Sequence, residues 1–376
     1  MSTDLQLGGV RAAMTVMGCE DLPPMLDFFV GRLGWRIDAI FPADGPRHAM
    51  LSGHGSRLHL RVGEPAGLAS LELLCDDPEA VAGGIRELLA PNGVRVRLLH
   101  ADPPMRQPAT RQALVIARSD AAAHWAVGRA GLRYRDLLPE RHGGAFIASH
   151  IRILDGGPVP DYVHYHKVRF QVIYCRKGWV KVAYEGQGEP FVMNAGDCAL
   201  QPPEIRHRVL ESSAGCEVVE LASPAEHITL ADHAMDLPNG IYPADHDFNG
   251  QRFVRHIAAD AGWSPWRLPG FEARDTGIAA ATDGLAGVRV LRCDGDRPAQ
   301  WQTHAHEFCF YFVLSGRLLV EVDGQAHVLG ADDSITLPGD MAYAMAPLGG
   351  CELLEVSLPG LLEPVLAPTP AQAVPA

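Results

Sequence analysis

His164-Tyr165-His166, Gln171-Val172-Ile173-Tyr174, Gly178-Trp179-Val180-Lys181-Val182, Phe191-Val192-Met193, then Gly196-Asp197, Pro202-Pro203 and His207: this run decides how the chain is read. Side chains alternate along a strand, so His164 and His166 present their imidazoles on one face. The segments that follow read as strand, hairpin and strand. Closed into a small antiparallel barrel, that path brings His207 opposite the first pair. Neutral imidazole is the commonest protein ligand for first-row transition metals. His164, His166 and His207 are therefore candidate metal ligands. The bland alternative is a polar barrel lining, but burying three imidazoles without partners is costly and a metal satisfies all three.

The pattern occurs twice. His304-Ala305-His306 leads into Cys309-Phe310-Tyr311-Phe312-Val313, Gly316, and a second hairpin at Asp323-Gly324-Gln325. Gly178 and Gly186 stand eight residues apart, as do Gly316 and Gly324, which is the mark of an internal duplication. Aligning Asp197 with Asp332 sets Pro203 on Pro338 and His207 on Ala342. The second copy keeps the histidine pair and loses the third ligand. A filled, metal-free barrel is expected there, with Cys309 as packing rather than a soft-metal ligand.

Paired histidines, a glycine-punctuated hairpin and then Gly-Asp…Pro…His resemble the two cupin motifs, over roughly residues 145–235 and 285–360. The duplication makes the chain similar to a bicupin. Many cupins carry a glutamate ligand seven residues before the hairpin glycine; here those positions are Gln171 and Cys309. A site of three histidines with a neighbouring amide resembles the gentisate-type and diketone-cleaving cupin dioxygenases. That resemblance implies Fe(II), with Mn, Ni, Co, Cu or Zn as alternatives. Gln171 and Tyr162 are the candidate catalytic residues, Tyr162 because it shares the parity of the histidine pair. Without a carboxylate ligand the site keeps the full charge of a divalent ion, which favours a small anionic or chelating substrate. Three functions follow: a mononuclear metal-dependent oxygenase, a non-redox hydrolase, lyase or isomerase, or a non-catalytic metal- or ligand-binding cupin. Oxygen dependence separates the first two. Arg169 and Arg206 have outward parity and read as surface ion-pairing residues.

Residues 1–135 read differently. A strand at Ala13–Met17, a helix at Leu22–Leu33, strands at Trp35–Phe41, His48–Leu51 and Arg57–Val62, then a looser repeat (Ser70–Leu74, a helix from about Pro78 to Leu89, residues 94–99, Ala113–Ala117) give an α+β domain. With Asp21-Leu22…Phe28-Phe29…Leu33-Gly34-Trp35, it resembles the glyoxalase-like (vicinal oxygen chelate) fold. Metalloenzymes of that family carry a ligand seven residues before the aspartate matching Asp21; here it is Met14, a poor ligand for a hard ion. His48, His54 and His59 fit no clear spacing, so a docking or pocket-lining module is the expectation.

The expected architecture is thus a glyoxalase-like domain at 1–135, all-β cupin barrels at 145–236 and 250–362, and a flexible tail at 363–376. Breakers at 136–144 and 237–250 mark the connectors. No ligand role is assigned to His227, His233, His246 or His256 around the second one. Of 376 residues, 47% are hydrophobic and 20% charged, an ordinary globular balance. A net charge of −13 without a basic patch argues against nucleic acid. No apolar run is long enough to span a membrane, and Met1-Ser2-Thr3-Asp4 lacks a secretory pattern, so a cytoplasmic location is expected. The eight cysteines show no metal or disulfide spacing. A small-molecule substrate is the expected partner, and pairing of barrel edges allows a monomer or a homodimer.

Overall fold

A computed structural model describes residues 9–64, 70–89, 95–120, 124–360 and 364–367. The expected strand at 94–99 lies partly outside them, as do residues 1–4 and most of the tail; the described part of that tail includes a short strand, Val365–Leu366, paired with Gln302–Thr303. The chain divides into two compact units: one holds residues 1–106, 162–167 and 226–236, the other 107–161, 168–225 and 237–376.

The first unit is mainly strands. Val10–Cys19 leads into a short helix, Leu22–Leu26, with proline in its first turn, where the amide that proline lacks has no intrahelical partner. A π-helical segment, Asp27–Arg32, continues it. The sheet runs Arg36–Phe41, His48–Gly53, Ser56–Val62, Val10–Cys19, Ser70–Cys75, Arg95–His100, Glu87–Leu89. Its core is Leu22, Ile40, Leu51, Leu58 and Leu60, with Trp35 packed against them. Two later strands, Thr229–Ala231 and His164–His166, extend the sheet beyond Arg36–Phe41. The helix expected from Pro78 to Leu89 ends at Ala82. Gly83 and Gly84 take φ of 58° and 89°, which terminates a helix, and Glu87–Leu89 is a strand.

The second unit contains two antiparallel barrels. The first is built from Ile147–Ile153, Phe170–Lys177, Trp179–Tyr184, Phe191–Asn194, Cys198–Leu200, His207–Ser212 and Cys216–Ser223. The second uses Gly287–Asp294, Gln300–Thr303, Phe308–Val322, Gln325–Leu329, Ser334–Thr336 and Tyr343–Leu358. Strand parity sorts the side chains. Phe170, Val172 and Tyr174 pack with Phe308, Phe310, Phe312, Leu354 and Val356 in one core that joins the barrels. Burying each of these large side chains contributes about 1.5–3 kcal/mol. The alternate residues, Ile173 and Cys175 in one barrel and Cys309, Tyr311 and Val313 in the other, face the interiors.

The hairpin glycines do the same work in both barrels. Gly178 has φ 71°, and an added Cβ would lie 2.3 Å from Ser213 Oγ; Gly316 has φ 77°, and its Cβ would lie 2.2 Å from the Gly350 carbonyl oxygen. Val115–Ala117 pairs with Ser334–Thr336 of the second barrel, and Arg133–Asp136 with Ile147–Ile153 of the first. Among the described residues no helix is long and apolar enough to cross a membrane.

Candidate metal centre

His164–His166 is a strand of three residues, paired antiparallel with Thr229–Ala231. Its alternation buries both imidazoles, to 1% and 5% exposure, with ring centroids 5.2 Å apart. His207 opens the strand that pairs with Trp179–Tyr184, directly across from Tyr184, whose ring stacks on it at 5.7 Å. One potential ligand atom from each of His164, His166 and His207 lies within 4.8 Å of the other two.

The hydrogen bonds set the tautomers. His164 Nδ1 is 2.7 Å from the Tyr162 carbonyl oxygen and His207 Nδ1 is 3.0 Å from that of Ile205. A carbonyl only accepts, so both Nδ1 atoms carry the proton and donate. Each Nε2 then holds a lone pair, the state in which imidazole ligates a metal while its other nitrogen is anchored. His166 Nδ1 lies 3.4 Å from Thr229 Oγ1. Burial pushes the His207 pKa down to about 4, so it is neutral across the ordinary pH range. The donor set fits a first-row divalent ion.

Tyr162 packs its ring edge-on to His164 at 5.9 Å. Gln171 faces the barrel interior and is 2% exposed, and its Nε2 donates to Glu220 Oε1 at 2.6 Å. Glu220 carries no signal in the sequence, because nothing local sets it apart from Glu217 in the same strand, Cys216–Ser223. His227 also lacked a signal: no histidine stands two residues away, yet its ring meets that of His166 edge-on at 5.0 Å. His233 Nε2 donates to the Ile37 carbonyl at 2.8 Å. Arg169 pairs with Glu307 at 3.0 Å, and Arg206 Nη1 donates to the Glu204 carbonyl at 3.0 Å.

In the second barrel His304, His306 and Cys309 also bring ligand atoms within 4.8 Å, all three buried. The place that His207 holds across from Tyr184 is taken across from Val322 by Tyr343, whose ring is 5.7 Å from that of His304. The alignment of His207 with Ala342 is one residue short because local spacing does not fix strand register. The tautomer differs. The His306 backbone N–H donates to His304 Nδ1 at 3.2 Å, so the proton of neutral His304 sits on Nε2, which is buried without a hydrogen-bond partner among the described residues. Burial, then His306 and Arg267, hold the His304 pKa down to about 4, and burial pushes the Cys309 thiol up to about 12. The interior is occupied by an ion pair. Glu355, 2% exposed, takes Arg267 at 3.0 Å, Arg289 at 3.3 Å and the Tyr311 hydroxyl at 2.9 Å. Burial alone would raise the Glu355 pKa, but the two arginines outweigh it and hold the carboxyl down.

Two further clusters lie outside both interiors. His150, Glu217 and Asp332 converge within 4.8 Å, but Arg152 and Arg176 pair with the carboxylates at 3.1 Å and 3.0 Å, which makes an ionic network. In the first unit His48 Nδ1 and His59 Nε2 are 3.3 Å apart, and His59 Nδ1 is 3.1 Å from Glu72 Oε2, with Arg61 also on Glu72. Met14 lies opposite Glu72 in the sheet register. Long-range pairing of Ser56–Val62 and Ser70–Cys75 with one shared strand assembles this chain, which local spacing does not reveal.

Residues 294–357 match the cupin-domain family model. A 71-residue stretch, 18% of this chain, is 34% identical to the polyketide synthase CurC of Streptomyces cyaneus; it spans 44% of that relative, less than half its length. Among solved structures, the oxalate decarboxylase of Lactobacillus farciminis in a formate complex is similar over 69% of this chain and 90% of its own (14% identity, TM-score 0.51). The salicylate 1,2-dioxygenase of Pseudaminobacter salicylatoxidans is similar over the same shares (12% identity, TM-score 0.53). At such identities the likeness is one of fold. With the repeated barrel, it defines the class: a chain with the bicupin fold.

Proposed function

We propose that the chain is a mononuclear metal-dependent cupin oxygenase that acts on a small anionic or metal-chelating organic molecule at the first barrel. The observation that carries this reading is the convergence of three buried imidazoles, two of them donating through Nδ1 so that the lone pair sits on Nε2. His164, His166 and His207 would hold the ion, with Fe(II) the first choice among Fe, Mn, Ni, Co, Cu and Zn. When bound, a divalent metal supplies open positions and a full positive charge for a chelating anion. The protein's own part is to orient the imidazoles through the Tyr162 and Ile205 carbonyls and to exclude water by burial. The Gln171 amide adds no charge to the cavity wall, and Tyr162 packs beside His164.

A non-redox reading rests on a different observation. The Gln171–Glu220 contact of 2.6 Å puts a carboxylate on the barrel interior, a proton acceptor suited to a lyase or isomerase in which the metal is a Lewis acid. For the first unit we propose a glyoxalase-like docking or pocket-lining module. Support comes from the strand–helix–three-strand order over Val10–Val62, with the first strand parallel to the fourth.

Metal content of anaerobically purified protein, with oxygen uptake on chelating acids and diketones, tests the proposal. About one equivalent of iron per chain, lost in His207→Ala, together with substrate-dependent oxygen consumption, is the expected result. Zinc, nickel or manganese without oxygen uptake moves the assignment to the non-redox enzyme. No metal after reconstitution overturns both.

A further inference from the structure

A cavity of about 280 Å³ opens beside the first barrel. Its walls are the rings of Phe191, Phe248 and Phe253, with His246, Gln187 and Arg255 also lining it. The segment that closes it is fixed in place. Tyr242 packs on Gly186, where any Cβ would lie 2.2 Å from the ring, and the Gly188 N–H donates to the Gly240 carbonyl at 2.7 Å. The His246 ring sits 4.6 Å from both Tyr242 and Phe248.

Arg255 is the informative residue. Its guanidinium carbon lies 4.0 Å from the Phe191 ring centroid, and among the described residues no carboxylate pairs with it. A planar guanidinium stacked on an aromatic face keeps its N–H edge available for two parallel hydrogen bonds to a carboxylate. Three phenylalanine rings favour an aromatic ligand through offset or edge-to-face contact. A cation is disfavoured by Arg255, and a neutral ligand leaves it unused. The volume sits near the lower end of small-molecule pockets, about 300 Å³, which suits one or two fused rings.

We propose that this cavity is a binding site for a planar aromatic carboxylate, with Arg255 holding the carboxylate and Phe191, Phe248 and Phe253 holding the ring. The site is distinct from the histidine cluster. The Tyr184 ring stands between them, with centroids 5.8 Å from Phe191, 4.8 Å from Phe253 and 5.7 Å from His207. Its occupancy therefore does not depend on a metal, nor on the oxygenase reading.

Calorimetric titration of the full chain with 2-naphthoate, in metal-stripped and metal-reconstituted protein, is the test. The expected result is saturable binding in both forms, weakened about tenfold in Arg255→Gln and partly restored in Arg255→Lys. The uncharged 2-naphthamide and the non-aromatic cyclohexanecarboxylate bind far more weakly. Absence of 2-naphthoate binding, equal binding of the amide, or no effect of Arg255→Gln overturns the proposal. Binding that requires the metal assigns the ligand to the histidine cluster and overturns it too. Because Arg255 is exposed, its variants keep the fold.

Discussion

The two barrels present the same positions in the same register and fill them with opposite chemistry. Gln171 lies across from Ala222 and Ile173 from Glu220; Cys309 lies across from Ser357 and Tyr311 from Glu355. In the first barrel the carboxylate accepts a hydrogen bond from a neutral amide, and His207, across from Tyr184, stands where the second barrel has Tyr343, across from Val322. In the second the carboxylate is locked between two arginines and a tyrosine. The histidine pairs differ in the same sense, since His164 donates through Nδ1 to a carbonyl whereas His304 accepts through Nδ1 from an amide. Equal spacing of two histidines therefore does not make equal sets of donor atoms; the backbone group facing Nδ1 decides which nitrogen carries the lone pair.

The largest expected effect lies in the second barrel. Glu355→Ala leaves Arg267 buried without its carboxylate, and breaking a buried pair from one side costs about 3–5 kcal/mol. Glu220→Ala removes one hydrogen bond at a half-buried position and costs about 1 kcal/mol. Urea denaturation of the two variants measures the difference. Equal losses would break the contrast between a carboxylate locked by two arginines and one held by a neutral amide.

A smaller effect appears in acid. Burial holds His207 and His304 near 4 in the folded chain, against an ordinary value of 6.5. The unfolded chain takes up protons below 6.5 while the folded one does not until about 4. The stability these neutral imidazoles retain is thus complete above pH 6.5 and is lost as pH falls from 6.5 to 4. A metal ligates only neutral imidazole, so loading steepens this acid limb. Thermal melts from pH 7 to 4 should show the steepening in the wild type and not in His207→Ala, whereas His304→Gln should flatten the limb with and without metal. Steepening that survives His207→Ala would place the metal elsewhere.

Much of this contrast was legible in the residues. Strand parity put His164 and His166 on one face, but the alignment of Asp197 with Asp332 is one residue short: Asp197 and Asp333 accept the same turn hydrogen bond, so His207 corresponds to Tyr343 and not to Ala342. The barrel strands, the hairpin glycines and the interior position of Gln171 follow from the same alternation. What local pattern lacked was long-range pairing. Arg267 reaches Glu355 across 88 residues, and Glu220 is an interior residue only because of its register with Ile173. The helix expected over Pro78–Leu89 overlooked Gly83 and Gly84, whose left-handed backbone stops it after one turn. Tautomers were out of reach altogether, since they depend on which backbone group each Nδ1 meets.

The smallest effect is the sharpest test of that last point. Tyr343→His gives the second barrel the residue type that the first has at His207, and identity alone would then give the two barrels matching triads. The His306 N–H still faces His304 Nδ1, so ligation through Nε2 requires breaking that hydrogen bond at a cost of about 1 kcal/mol, and a buried Arg267 adds positive charge beside the incoming cation. Metal content per chain should therefore remain that of the wild type in Tyr343→His. A gain of a second equivalent, abolished by His304→Ala but not by His164→Ala, would show that residue identity outweighs the tautomer and that the two barrels differ by one side chain alone.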